Sequence, residues 1–198
     1  TEVGKTMASA ILVEALQADY WKPIQAGELD HSDTHKVERL VSNKKSKFHP
    51  NSFALKTPMS PHAAAEIEGV SITLKDIIAP KTKNHLVIES AGGLLVPINN
   101  TQTILNLIKP EYHVIVVSRH YLGSINHTLL TVNLLKEKGF QVSLIFSGNE
   151  HKTTEAIIKK MTKVPIIGMW FWNMQKGLKI ICNFCHTNWY QFYKTVRN

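Results

Sequence analysis

With 198 residues, 43% of them hydrophobic, the chain has the size of one α/β domain and the apolar content for a sizeable core. No apolar run approaches the ~20 residues of a membrane-spanning helix and no signal peptide is visible, so membrane partners are not expected and a reducing cytoplasm is. The net charge of +8 does not single out nucleic acid, because half of it lies in Lys176, Lys179, Lys194 and Arg197 beyond residue 168, and the Lys44-Lys45-Ser46-Lys47 run has no interleaved aromatics on which bases would stack.

Thr1-Glu2-Val3-Gly4-Lys5-Thr6 reads as the second half of a phosphate-binding loop, G-x-x-x-x-G-K-[ST], opening a helix whose Ala8, Ile11, Leu12, Ala15 and Leu16 share one face. The N–H groups of such a helix start, with the helix dipole behind them, favour an anion. In this pattern Lys5 reaches the β- and γ-phosphates of a nucleotide and the Thr6 hydroxyl holds Mg²⁺. The strand that normally leads into this loop does not precede it, and the chain reads as N-terminally truncated. Tyr20–Ile24 follows as a short strand ended by Pro23, with Gln25-Ala26-Gly27 as a tight turn. The polar stretch 28–52 holds a helix over Asp33–Val41. Ser60-Pro61 starts another helix, which Gly69 stops. Ser71–Ile78 and Thr101–Ile108 read as further short helices.

Four apolar runs are expected to be strands: His85–Glu89, His113–Val117, Val142–Phe146 and Val164–Gly168. Helical patterns over Ser124–Lys138 and Thr153–Met161 lie between them. Strands alternating with helices imply a P-loop NTPase-like parallel sheet with helices on both faces, here without its N-terminal strand. Ligands then bind at the carboxyl ends of the strands, where the phosphate loop, Lys22, Glu89 and the Gly123 loop all fall. The domain is expected to span 1–168. Residues 169–198 hold three of the four tryptophans and no carboxylate, and read as an anomalous aromatic, basic tail arising from a frame change or a degenerate C-terminus. Cys182-x-x-Cys185-His186 in that tail spells a haem-attachment pattern, but such attachment requires export, which nothing else in the chain supports.

Asp33 and Glu89 are the candidate metal carboxylates, since Mg²⁺ needs only one or two of these beside a loop hydroxyl and substrate phosphates. Lys22, at a strand end soon after the loop helix, is placed to neutralise charge developing on a transferring phosphoryl group.

TEVGKT at 1–6, WKPIQAG at 21–27, HSD at 31–33, TPMSPHAAA at 57–65, VIESAGGLLVP at 87–97 and LGSINHTLLT at 122–131 together resemble the dethiobiotin synthetase family. The resemblance implies an ATP-dependent cyclo-ligase of biotin synthesis, acting on 7,8-diaminononanoate and CO₂ as a homodimer. It implies Mg²⁺ on Thr6, Asp33 and Glu89, with Lys5 and Lys22 catalytic. ATP would contact Glu2, Val3, Gly4, Lys5, Thr6, Glu89, Ala91, Gly92 and Asn149. The diamine substrate would contact Lys22, Ala26, Leu122, Gly123, Ser124 and Asn126, the last four across the dimer interface. Ala26 stands where some members carry a hydroxyl, and Asn149 is displaced by Ser147-Gly148. Two competing readings are a switch ATPase of the partitioning type, whose second loop lysine is not found in Thr1-Glu2-Val3, and an inactive remnant of the synthetase.

Overall fold

A computed structural model describes residues 2–173 and 177–181, and the chain divides into two compact units at Lys109/Pro110. In the first unit, α1 (Lys5–Leu16) leads into β1 (Asp19–Trp21), β2 (Ile24–Ala26), α2 (Asp33–Leu40), β3 (Phe48–His49), β4 (Phe53–Leu55), α3 (Pro61–Ile67) and β5 (Leu86–Ile88). β3, β1 and β5 form a parallel three-stranded sheet in that order, and β2 pairs in parallel with β4. The expected single strand over Tyr20–Ile24 is therefore two. Pro23 has no N–H to offer a ladder, and the Lys22-Pro23 step carries the chain from one sheet to the other. Its carbonyls are nonetheless satisfied: Trp21 accepts from Glu89 N–H, Lys22 from Asn51 Nδ2, and Pro23 from Ser52 and Phe53 N–H.

Two apolar clusters hold this unit. Ala10, Val13, Tyr20 and Val37 pack α1 and α2 onto β1. Ile24, Leu55, Ala64, Ala65, Ile72, Ile98 and Ile104 pack α3 and the later loops onto β2 and β4. The buried stripe of α1 runs through Ala8, Ser9, Leu12 and Val13, one position away from the expected face, and leaves Ala15 exposed. Ser60 precedes α3 with Pro61 in its first turn, as expected, although the Ser60 hydroxyl turns to His62 Nδ1 (3.1 Å) instead of capping the backbone.

The helices expected over Ser71–Ile78 and Thr101–Ile108 are single 3₁₀ turns, Leu74–Asp76 and Ile104–Leu107. The first turn is closed by a side-chain pair, and before the second a side chain takes backbone N–H groups. Thr73 Oγ1 donates to Asp76 at 2.6 Å, and Asn99 Oδ1 takes the N–H groups of Thr101 and Gln102. β-branched Ile72, Thr73, Ile77 and Ile78 further weaken the first.

Glu14 ties the far end of α1 to the segment after α2. Its carboxylate accepts from the backbone N–H and side chain of both Ser42 and Asn43 at 2.7–3.1 Å, led by the Ser42 hydroxyl, and these bonds bring its pKa down to about 2. The depressed value means that its stabilisation is present above the ordinary glutamate range and lost as pH falls toward 2. Glu14→Gln is expected to cost on the order of 1 kcal/mol at pH 7 after solvent screening, with the difference from wild type shrinking on acidification and closing only as pH falls through about 2 in urea titrations.

Gly27 turns the chain after β2 with φ +75, and a Cβ there would meet Pro58 Cβ at 2.6 Å and Cα at 2.8 Å. Gly27→Ala combines a left-handed backbone with a clash against proline, and is expected to cost roughly 2–4 kcal/mol in urea unfolding.

In the second unit, β6 (His113–Arg119), α4 (Ser124–Glu137), β7 (Gln141–Ser147), α5 (Lys152–Thr162) and β8 (Ile166–Asn173) are followed by β9 (Gly177–Ile181). β6, β7 and β8 run parallel, and β9 turns back antiparallel to β8 with Met169 opposite Ile181. β7 is buried from Val142 to Ser147, and α4 and α5 pack on each other. The break expected at residue 169 falls inside β8. Cys182, Cys185 and His186 lie outside the described residues.

Candidate active site

The loop before α1 ends at Gly4, which adopts φ 90 and caps the helix without a side-chain hydrogen bond. A left-handed residue at this point favours glycine, which has no side chain of its own to cap the first-turn N–H groups. Glu2 and Val3 lead into that turn. Lys5 and Thr6 form the first turn of α1.

Thr6 Oγ1 donates to Glu89 Oε1 at 2.9 Å, across 83 residues of sequence. Glu89 follows β5 directly and is only 4% exposed. Lys22, 5% exposed at the end of β1, makes a short ion pair with Asp33 and lies 3.5 Å from Glu89 Oε1. Asp33 is held by its own helix: Ser32 Oγ accepts from His35 N–H while His35 Nδ1 accepts from Ser32 N–H, a reciprocal cap that fixes the first turn of α2. Gln25 Oε1 accepts from Asp33 N–H at 3.4 Å, and its amide donates to Gly27 carbonyl at 2.9 Å. The five side chains Lys5, Thr6, Lys22, Asp33 and Glu89 thus meet at the carboxyl ends of β1 and β5.

The electrostatics agree with this convergence. Burial pushes the Asp33 carboxyl up, but the Lys22 charge and hydrogen bond, with help from Lys36, outweigh it and hold the group below its ordinary value. Burial lowers Lys5, with Glu89 opposing and Lys22 adding to the shift. Two cations facing two carboxylates leave the cluster near neutral, so an incoming polyphosphate brings charge that a divalent cation would balance.

Ala26 ends β2 beside this cluster in sequence, and Ala91 and Gly92 form the turn after Glu89, where Ser90 Oγ donates to Gly92 carbonyl at 2.9 Å. In the second unit, Gly123 caps α4 without a side-chain bond, as Gly4 does α1. Ser124 is buried, Asn126 is exposed, and Leu122 stands fully in solvent. Asn149 is exposed after β7. His31 and His35, four residues apart, do not pair as ligands: His35 serves the cap of α2 and His31 is exposed.

Residues 1–174 match the family model described as AAA domain. An ATP-dependent dethiobiotin synthetase BioD of Christiangramia forsetii is 62% identical over 169 residues, covering 85% of this chain and 82% of that protein. The chain belongs to the dethiobiotin synthetase family. Synthetases of the same name from Cytophaga hutchinsonii and Chlamydia pneumoniae are 48% and 42% identical, covering 82% and 76% of those proteins. Within this dethiobiotin synthetase frame, three neighbours of the site have roles that no motif assigned. Tyr20 donates its hydroxyl to Glu89 Oε2 at 3.0 Å, Lys36 pairs with Glu28 (2.6 Å) and Asp33 (3.5 Å), and Gln25 holds the Asp33 backbone. The one signal for Tyr20 was a phenol inside an apolar strand, which needs a partner when buried.

Proposed function

We propose that this chain is an ATP-dependent dethiobiotin synthetase that closes the ureido ring of dethiobiotin from 7,8-diaminononanoate and CO₂ in the cytoplasm, as a homodimer. The observation that carries the proposal is the meeting of Lys5, Thr6, Lys22, Asp33 and Glu89 at the strand ends. One amine of the substrate adds to CO₂ and loses a proton, giving a carbamate. A carbamate oxygen attacks the γ-phosphorus of ATP, the bond to the β-bridging oxygen breaks, and ADP leaves. The second amine attacks the carbonyl carbon of the resulting anhydride, phosphate departs, the nitrogen gives up a proton, and the ring is closed.

Protein groups in such a reaction mainly position and neutralise. Lys5 and the Glu2-Val3-Gly4 turn at the start of α1 hold the phosphates. Lys22 faces the carbamate oxygen and the transferring phosphoryl group, as the buried cation best placed between the two carboxylates. Ala91 and Gly92 line the γ-phosphate side, and Asn149 serves the nucleotide. Ala26 contacts the diamine. Leu122, Gly123, Ser124 and Asn126 receive its carboxylate at the start of α4, contributed by the other protomer; an uncapped helix start suits an anion.

Thr6, Asp33 and Glu89 would hold Mg²⁺. The donor set fits: one hydroxyl and two carboxylates are hard oxygen ligands, and Thr6 already bonds Glu89 and sits within the hydrogen-bonding environment of Asp33. Bound there, Mg²⁺ neutralises phosphate charge. No described helix is long and apolar enough to cross a membrane.

The test is to mix the protein with the diamine, bicarbonate, Mg²⁺ and ATP and to measure dethiobiotin and phosphate. Equal amounts of both support the proposal. ATP hydrolysis that ignores the diamine and responds to DNA would replace it with a switch ATPase.

A further inference from the structure

Tyr20 is fully buried in β1, packed with Ala10, Val13 and Val37, and its ring lies 6.3 Å from that of Phe48. Its hydroxyl leaves this apolar cluster at one point only, donating to Glu89 Oε2 at 3.0 Å. The two oxygens of Glu89 are therefore held by different groups. Oε1 receives Thr6 at 2.9 Å and faces Lys22 at 3.5 Å, while Oε2 receives Tyr20. Parallel pairing supplies the geometry: Tyr20 lies opposite Val87 and Trp21 opposite Ile88, and Glu89 N–H donates to Trp21 carbonyl at 3.0 Å. Strand register thus fixes the Glu89 backbone, and the phenol fixes its side chain.

Resting on the site reading above, we propose that Tyr20 is a positioning residue for phosphoryl transfer: its hydroxyl locks the rotation of the Glu89 carboxylate so that Oε1 stays aimed at Thr6 and Lys22. A carboxylate with three donors at defined angles has one orientation. With the phenol removed, Oε2 lacks a protein donor in a buried setting, and the group turns to find another. Groups that orient metal-binding carboxylates in this way are typically worth 10–100-fold in metal affinity.

The experiment titrates Mn²⁺ into the full chain with a non-hydrolysable ATP analogue, reading free Mn²⁺ by electron paramagnetic resonance. Wild type, Tyr20→Phe, Phe48→Leu and Glu89→Gln are compared, with urea unfolding of each. The expected result is that Tyr20→Phe raises the Mn²⁺ dissociation constant about tenfold, while Phe48→Leu, which disturbs the same cluster without touching Glu89, leaves it unchanged. Where the Phe variant folds poorly, Tyr20→Met fills the space with another apolar group and carries the same expectation. Wild-type affinity in the Tyr20 variants, beside a weakened Glu89→Gln, overturns the role of Tyr20 alone. Equal weakening by Phe48→Leu assigns the effect to packing and overturns it too. Wild-type affinity in Glu89→Gln overturns the magnesium site itself, and the Tyr20 inference with it.

Discussion

Lys22→Ala is expected to lower kcat roughly 10²–10³-fold, the usual loss when one preorganised charge at the transition state is removed. Lys5 and the loop before α1 remain to hold the phosphates, so the KM for ATP should change far less than kcat. The same substitution also tests the fold. Lys22 is buried between Asp33 and Glu89, and without it the two carboxylates keep only Lys5 and the more exposed Lys36 as cationic neighbours. Truncating one member of a buried charge pair typically costs ~3–5 kcal/mol, and partial exposure of Asp33 places this case toward the lower end. The pH dependence has a definite sign. Burial opposes the depressed Asp33 value and Lys22 produces it, so the stabilisation exists above the ordinary aspartate range and is lost as pH falls through the folded value. The gap in stability between Lys22→Ala and wild type should therefore narrow on acidification from pH 7 to 3. Steady-state kinetics and urea titrations at the two pH values decide it; turnover within about threefold of wild type would take Lys22 out of the reaction.

Glu89→Gln comes second in expected size, with a loss of about 10²-fold or more in turnover at fixed Mg²⁺. An amide offers one acceptor oxygen where the carboxylate offers two. Thr6 and Tyr20 at present donate to different oxygens, so in the variant one hydroxyl meets an NH₂ group and its proton has no acceptor. An unpaired buried donor costs about 1–3 kcal/mol, so a modest fall in unfolding midpoint should accompany the kinetic loss. Raising Mg²⁺ should recover part of the rate. A variant insensitive to Mg²⁺ concentration, with wild-type turnover, would show that the carboxylate charge at position 89 plays no part in catalysis.

The elements legible in the sequence were those long enough to display a period or an unbroken apolar run. α4, α5, β6 and β7 lie within a few residues of their expected bounds. β3 was hidden in the polar stretch 28–52 and β4 just beyond it, because two or three residues show no period of their own. Phe48–His49 is a strand through pairing with β1, where Tyr20 N–H donates to Lys47 carbonyl, and such pairing has no local signature. The helices expected at 71–78 and 101–108 failed for the opposite reason. Short-range periodicity was present, but β-branched residues weakened the first, and before the second the Asn99 side chain offered the backbone N–H groups of Thr101 and Gln102 a closer partner. At the site, Lys5 and Thr6 were legible from the loop motif itself. Asp33 and Glu89 stood out as carboxylates at a helix start and a strand end, and the ensemble of motifs connected them. Tyr20, Gln25 and Lys36 were out of reach of pattern reasoning, because each acts through one contact made only in the folded chain.

The crossing at Lys22-Pro23 has an evolutionary corollary. β1 ends at Trp21 and β2 begins at Ile24, so two residues span the gap between one hydrogen-bonded ladder and the next, and all their carbonyls are engaged. There is no slack for an indel. One added residue would shift the lysine against its acidic neighbours, or slide Ala26 and Gly27 out of step with Leu55. Length variation among relatives should accumulate elsewhere, while this junction stays the same length wherever the reaction is kept.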